Sequence, residues 1–355
     1  MHIIYELIVF LVKLSAILFG IILIIKVILS AKGSGKKDGL KVKHLNHEHR
    51  ESTRWLEAEL LTPALRAAKL KAQSGEQKRK DKADKREAKR ALKKGKLNEG
   101  RKKNQEDSED TTSIRPRMFV LDFKGDIQAS GLESLRKEIS SILDVYRDGD
   151  TVTLRLHNSG GYVHTHGLAA SQLVRLKTHG VPLTITIDQV AASGGYMMAC
   201  VGERIIAAPF AVIGSIGVVA QMPNINKLLS NYGIEVESHT AGRYKRTLTF
   251  MGENTEEGRE KFKQDLAETH DLFKDFVLAR RPSLEIEKIA TGEVWYGQRA
   301  LDVGLIDSIQ TSDDFLRDSF EHYEVYSLSY ERSPALRERL LLAAHSMING
   351  RLPEL

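Results

Sequence analysis

The stretch Leu183-Thr184-Ile185-Thr186-Ile187-Asp188-Gln189-Val190-Ala191-Ala192-Ser193-Gly194-Gly195-Tyr196-Met197-Met198-Ala199-Cys200 decides the fold. Leu183, Ile185 and Ile187 alternate with Thr184 and Thr186, the period of a strand. Two glycines and a short apolar run follow, which read as the start of a helix. A strand passing through Ala-Ala-Ser-Gly-Gly into a helix places Ser193 at the helix N-terminus, where backbone N–H groups lack intrahelical partners. The Gly194 amide is then available to a developing oxyanion, with the helix dipole behind it. A glycine after the serine also leaves room for a peptide backbone. The same position suits a helix cap, a common task for serine, and local chemistry leaves both readings open.

Working upstream, Phe119, Leu121 and Phe123 alternate around Val120 and Asp122, and Val152, Leu154 and Leu156 give another strand. Leu132, Leu135, Ile139, Ile142 and Tyr146 recur between them at helical steps, and a further helix is expected from about Gly167 to Lys177. This alternation predicts an α/β domain with a mostly parallel sheet flanked by helices. The strand at Val152 ends in Asn158-Ser159-Gly160-Gly161. In a parallel sheet that turn emerges at the same edge as Ser193, where ligands bind. Gly161 is therefore a candidate second oxyanion donor, or an ordinary loop glycine.

A nucleophilic serine needs a proton acceptor. His157, His164, His166 and His239 are candidates, with Asp188 as an orienting carboxylate, although the first three also suit the lining of a groove. The other candidate is Lys245, in Ala241-Gly242-Arg243-Tyr244-Lys245-Arg246, beyond an expected strand at Ile234 to Ser238. Lysine serves as a base only where desolvation or nearby cations, such as Arg243 and Arg246, favour its neutral form. Ser215, in Ile213-Gly214-Ser215-Ile216-Gly217-Val218, is flanked by glycines but lacks the strand-to-helix switch. Cys200 reads as a small buried hydrophobe; as the single cysteine it excludes an intramolecular disulfide. Asn254 opens another helix, with Glu257 in a capping arrangement and Phe262, Leu266, Phe273 and Phe276 on its apolar face.

The rest of the chain reads differently. Leu7 to Leu29 is apolar apart from Lys13, Ser15, Gly20 and Lys26; at helical rise it spans roughly 35 Å, enough for a hydrocarbon layer of ~30 Å. Lys71 to Asn104 holds 15 Lys or Arg and 5 Asp or Glu, a local +10 against +6 for the chain, which leaves −4 elsewhere. No aromatic residue interrupts that basic segment, so attraction to anionic lipid is expected and nucleic acid is not. The expected organisation is a transmembrane anchor over residues 1–30, a basic juxtamembrane helical linker over 31–112, the catalytic domain over 113–320 and a C-terminal tail over 321–355, helical from Leu336 to Ile348. Lys32, Lys36, Lys37, Lys41 and Lys43 follow the anchor, and the positive-inside rule puts the domain in the cytoplasm.

Ala191-Ala192-Ser193-Gly194-Gly195-Tyr196, the run from Ile213 to Val219, Ala241 to Arg246, and Gly292-Glu293-Val294-Trp295-Tyr296-Gly297 together resemble the signal peptide peptidase A family, in particular its proteobacterial inner-membrane branch. The resemblance runs over nearly the whole chain and weakens after about Phe320. It implies a Clp-protease/crotonase-like α/β fold and a membrane-anchored serine endopeptidase with a Ser–Lys dyad. Ser193 would be the nucleophile, Lys245 the general base, and the backbones of Gly194 and Gly161 the oxyanion donors. It further implies peptide or protein substrates, signal peptides or membrane-associated fragments among them, a homo-oligomer, and neither metal nor cofactor. The bacterial inner membrane is the implied location, single-pass, with the catalytic domain periplasmic by analogy. One departure matters: the family has Ser-Pro-Gly-Gly where this chain has Asn158-Ser159-Gly160-Gly161, without the proline. The alternatives are a crotonase-like acyl-CoA enzyme, sharing fold and oxyanion hole, and a non-catalytic membrane scaffold that uses the basic linker.

Overall fold

Alternating apolar residues build the centre of the protein, seen in a computed structural model that describes residues 38–62 and 115–332, with Lys13, Leu65, Arg66 and Lys82 as isolated positions. Seven strands form the main sheet: β1 (Gly39–His44), β2 (Arg117–Lys124), β3 (Thr151–His157), β4 (Leu183–Ile187), β6 (Arg204–Ala207), β9 (Ser308–Ile309) and β10 (Glu324–Glu331). Their spatial order is β1-β10-β2-β3-β4-β6-β9. All neighbours are parallel except β1 against β10. A smaller sheet sets β5 (Val190–Ala192) parallel to β7 (Val212–Gly214), which pairs antiparallel with β8 (Val294–Tyr296). The helices are α1 (Leu45–Glu59), α2 (Leu132–Val145), α3 (Val163–Thr178), α4 (Gly194–Ala199), α5 (Asn226–Asn231), α6 (Glu256–Leu278), α7 (Ile286–Ile289), α8 (Gly297–Asp302) and α9 (Ser312–Ser319).

Phe119, Leu121 and Phe123 of β2, Val152, Leu154 and Leu156 of β3, and Leu183, Ile185 and Ile187 of β4 all point to one face. There they meet Leu135, Ile139 and Ile142 of α2, Leu173 and Leu176 of α3, and Tyr196 and Met198 of α4. Each such side chain contributes about 2 kcal/mol by burial, so a one-residue slip would turn the whole set to the wrong face. The opposite face carries a smaller cluster, Met118, Val120 and Val325 against Leu316 of α9.

Both ends of the domain differ from the expected boundaries. Composition places residues 39–59 in the linker, yet β1 closes the sheet edge against β10. Asn46 of α1 is buried; it donates to the Phe320 and Tyr323 carbonyls (3.3 and 3.0 Å) and accepts from Val325 N–H at 2.7 Å. The expected tail contains β10, a strand between β1 and β2 with Val325 and Leu328 buried. Residues 234–238 are irregular and not a strand. The long helix α6 is capped by Thr255, whose hydroxyl accepts from Gly258 N–H at 3.1 Å, while Asn254 accepts from Thr249 N–H.

One expectation is corrected. The stretch Leu7 to Leu29 lies outside the described residues, Lys13 excepted, as do the basic segment Lys71 to Asn104, Lys82 excepted, and Leu336 to Ile348. Among the described residues no helix is long and apolar enough to cross a membrane. The longest, α6, has 23 residues but opens Glu-Glu-Gly-Arg-Glu-Lys-Phe-Lys, charges that a hydrocarbon layer excludes. The described structure thus supplies an α/β domain and no preceding transmembrane helix. The membrane-anchored form of the activity, the lipid partnership through anchor and basic linker, and the single-pass inner-membrane location are withdrawn with it.

A buried ion pair clamps the start of β2. Arg117 forks onto Asp150 (Nε at 3.0 and 3.2 Å from its two oxygens), and the Arg117 and Arg147 backbone N–H groups donate to the same carboxylate at 2.9 and 3.0 Å. Burial pushes the Asp150 carboxyl up, but the Arg117 hydrogen bonds and charge outweigh it and hold the group below its ordinary 3.8. Its contribution to stability is therefore fully present above the unfolded value and lost as pH falls through the lower folded one. Arg117→Ala leaves a buried, unpaired carboxylate and is expected to cost about 3 kcal/mol. The check is a lowered urea midpoint at unchanged slope at pH 7, with the difference from wild type shrinking below pH 4.

Candidate active site

The ends of β3 and β5 meet at an isolated parallel bridge between Asn158 and Ala191. Asn158 N–H donates to Val190 O at 2.9 Å, and Ala192 N–H donates to Asn158 O at 3.0 Å. The two glycine turns, 159–161 and 193–195, thereby leave the sheet side by side. Gly160, at φ +91°, lies so close to the other turn that a Cβ would stand 2.7 Å from Ser193 Cβ and 2.9 Å from Gly194 N.

Ser193 sits at φ +52°, ψ −121°, a region that L-residues avoid. Its N–H donates to Gly214 O at 2.8 Å and its carbonyl accepts from Met197 N–H at 3.0 Å, so both neighbouring strand and helix hold the turn. Its side chain makes no capping hydrogen bond. Of the two roles that the sequence leaves open, the helix cap is not the one its hydroxyl performs. The Gly194 N–H, at the first position of α4, and the Gly161 N–H have no acceptor among the described residues. Both glycines and Ser193 border one small recess, walled by Val163, Met197, Val218 and Phe273. The recess joins a cleft of about 760 Å³ that Ile127, Gly160, Ser215, His270 and Thr291 also line.

The other sequence candidates fall elsewhere. His157 and Asp188 border a separate cavity of about 230 Å³ on the sheet face opposite the core, with Asp122, Lys124 and Arg155; Ser193 does not line it. Asp188 accepts from Ser312 N–H at 2.8 Å and also binds its hydroxyl, which places the carboxylate at the start of α9. His164 stacks on Tyr162 at the surface, and His239 is exposed beside Glu237. His166 is buried behind the glycine turns. Cys200 is buried at the C-terminal end of α4, and burial pushes its thiol up to about 12, away from the thiolate form that a nucleophile needs.

Lys245 is not among the residues that border the recess and cleft around Ser193. Lys245 closes an exposed turn through its N–H to Gly242 O at 3.1 Å, and it lines neither the cleft nor the recess. Its neighbour Arg243 pairs with Glu257 in the first turn of α6, whereas the cleft touches α6 at His270. Those two points are roughly 20 Å apart at about 1.5 Å per helical residue. Ser215, by contrast, does enter the cleft, at φ +50°, with its N–H on Glu293 O at 2.7 Å. His270 lies there too, Nε2 at 3.3 Å from Ile216 O; its only sequence signal is a place on the α6 face that includes Phe273.

Two family models match: that of peptidase family S49 over residues 175–325 and that of the S49 N-terminal region over residues 2–173. A Haemophilus influenzae protein described as "Probable protease SohB" is 44% identical over 337 residues, covering 92% of this chain and 89% of that protein. A "Probable protease SohB" of Buchnera aphidicola is 53% identical over 225 residues, 63% of this chain and 67% of that protein. Among solved structures, the 1510-N membrane-bound stomatin-specific protease aligns over 62% of this chain and the whole of its own, at 15% identity and a TM-score of 0.39, too loose a match to carry an argument. The chain belongs to peptidase family S49, with the SohB proteases, and is a serine-type endopeptidase.

Proposed function

We propose that Ser193 is the nucleophile of this endopeptidase and that the Gly161 and Gly194 amides bind the oxyanion. The observation that carries the reading is that Gly161 and Gly194, whose N–H groups have no acceptor among the described residues, border one recess with a serine at positive φ. Ser193 Oγ attacks the scissile carbonyl, whose oxygen moves onto the two amides. Such a donor contributes ~10²–10³ in rate. The amine leaves, and water then releases the acyl group from Ser193.

Lys245 is the proposed proton acceptor. Its exposed turn must then be brought to the cleft, by movement of its own segment or as the same segment of a second copy. Lys245→Ala is expected to lower kcat at least ~10²-fold; undiminished turnover removes it from the mechanism. Mixing inactive Ser193→Ala and Lys245→Ala proteins separates the two routes, since only delivery from a second copy restores activity. The nucleophile itself is tested by a fluorophosphonate probe. Adduct on Ser193 is expected, whereas an acyl-CoA enzyme using only the oxyanion hole would leave it unmodified.

A further inference from the structure

Asn158 and His166 are both fully buried, and neither has a part in the chemistry above. Asn158 directly follows β3, and its backbone is fixed by Val190 O and Ala192 N–H. Its side chain turns forward, with Oδ1 accepting from Gly160 N–H at 2.8 Å. Only an oxygen can accept there, so the amide orientation follows, with Nδ2 directed to Met198 Sδ under α4 at 3.3 Å. The same Oδ1 lies 3.2 Å from His166 Nε2, which donates to it in the tautomer that carries the proton on Nε2. On the far side of the ring, Nδ1 is 3.4 Å from the Thr165 hydroxyl and 3.0 Å from Tyr162 O.

The imidazole also presses on the second turn. A Cβ at Gly194 would lie 2.5 Å from His166 Cγ, so ring and Gly194 backbone are in direct contact. One hydrogen-bonded pair thus touches both turns: Asn158 holds the bend before Gly161, and His166 backs the residue after Ser193.

We propose that Asn158 and His166 are positioning residues that set the separation of the Gly161 and Gly194 amides. The inference rests on the reading of those amides as oxyanion donors. Neither side chain touches substrate; both act through the glycine backbone. Polar atoms with no water to replace a lost partner keep a fixed geometry, because each broken bond leaves a buried group unsatisfied.

The test uses the full-length protein with a peptide substrate. Asn158→Ala and His166→Leu are expected to lower kcat ~10–100-fold, since a displacement of about 1 Å at a reacting centre has that effect, with KM within about threefold. His166→Gln restores a donor near Nε2 and is expected to recover most of the rate. Combining Asn158→Ala with His166→Leu should cost little more than either alone, as residues acting through one contact are not additive. A peptide aldehyde, whose adduct oxygen occupies the amide site, should lose affinity in step with kcat/KM. Binding of uncleaved peptide to Ser193→Ala should not change when Asn158→Ala is added. Folded Asn158→Ala and His166→Leu proteins with wild-type kcat overturn the proposal, as does a loss confined to KM, or His166→Gln as impaired as His166→Leu. Failure of both variants to fold, by thermal unfolding, assigns the pair to stability and overturns it as well. If Ser193→Ala retains turnover, the reading of the site itself has failed; if Ser193→Ala is inactive and Asn158→Ala is not, only the positioning role has.

Discussion

Ser193→Ala is expected to lower kcat/KM by at least ~10⁴-fold while moving the thermal midpoint by no more than a few degrees. The bonds that hold this turn are backbone bonds, Ser193 N–H to Gly214 O and Met197 N–H to Ser193 O, and the hydroxyl adds none. A sharper test is Ser193→Gly. At φ +52° and ψ −121° any Cβ is strained, by roughly 1 kcal/mol, and glycine is not. The glycine protein should be as inactive as the alanine one, yet more stable than wild type by about 0.5–1 kcal/mol. That opposition would mark the turn as strain kept for chemistry. Measured turnover and thermal unfolding decide it: activity surviving Ser193→Ala, or Ser193→Gly less stable than wild type, contradicts the account.

Gly195→Ala should have the largest effect on folding. A Cβ there would lie 2.0 Å from the Asn158 carbonyl oxygen and 2.9 Å from its carbon. Both are backbone atoms, and the oxygen is already held by Ala192 N–H at 3.0 Å, so neither can step aside. To make room, α4 must move off the sheet edge, and all six of its residues are buried. Overpacking against such a rigid obstacle costs about 3 kcal/mol or more, roughly 6–12 °C in a domain of this size. Gly180→Ala is the control. Its φ of +71° is strained for alanine, but nothing lies within 4 Å, so a loss near ~1 kcal/mol is expected. Equal losses at the two positions would show that close approach is not what Gly195 provides. Activity should fall with stability in Gly195→Ala and stay near wild type in Gly180→Ala.

Local patterns carried much of the fold into view. The strands around Phe119, Val152 and Leu183 are where the alternation puts them, because burial of one face is written at a period of two. The switch at Ser193 is equally local: strand alternation, small residues and two glycines leave few other conformations. A few local signals point beside the mark. Thr255 caps α6 one residue beyond the expected Asn254, and the alternation at Ile234 to Ser238 finds no neighbouring strand.

Long-range pairing was not legible. The strands β1 and β10 lie near opposite ends of the described chain and are paired Gly39 to Glu331. Each alternates, Leu40 and Val42 with Lys41 and Lys43 and Tyr326, Leu328 and Tyr330 with Ser327 and Ser329, but alternation does not name the partner strand. The missing proline before Gly160 has a tertiary counterpart: Asn158 Oδ1 holds the Gly160 N–H, and His166 holds Asn158. The residues are visible in the sequence, but their meeting needs β3, α3 and α4 in place. By itself the sequence determined the strand-to-helix turn, the serine on it and the glycines beside it, because those depend on neighbouring residues. Only the tertiary structure decided that the two glycine turns border one recess with Ser193, that His166 packs behind Gly194 and that Lys245 is not in the lining of that recess, because distances between separate elements are set by packing.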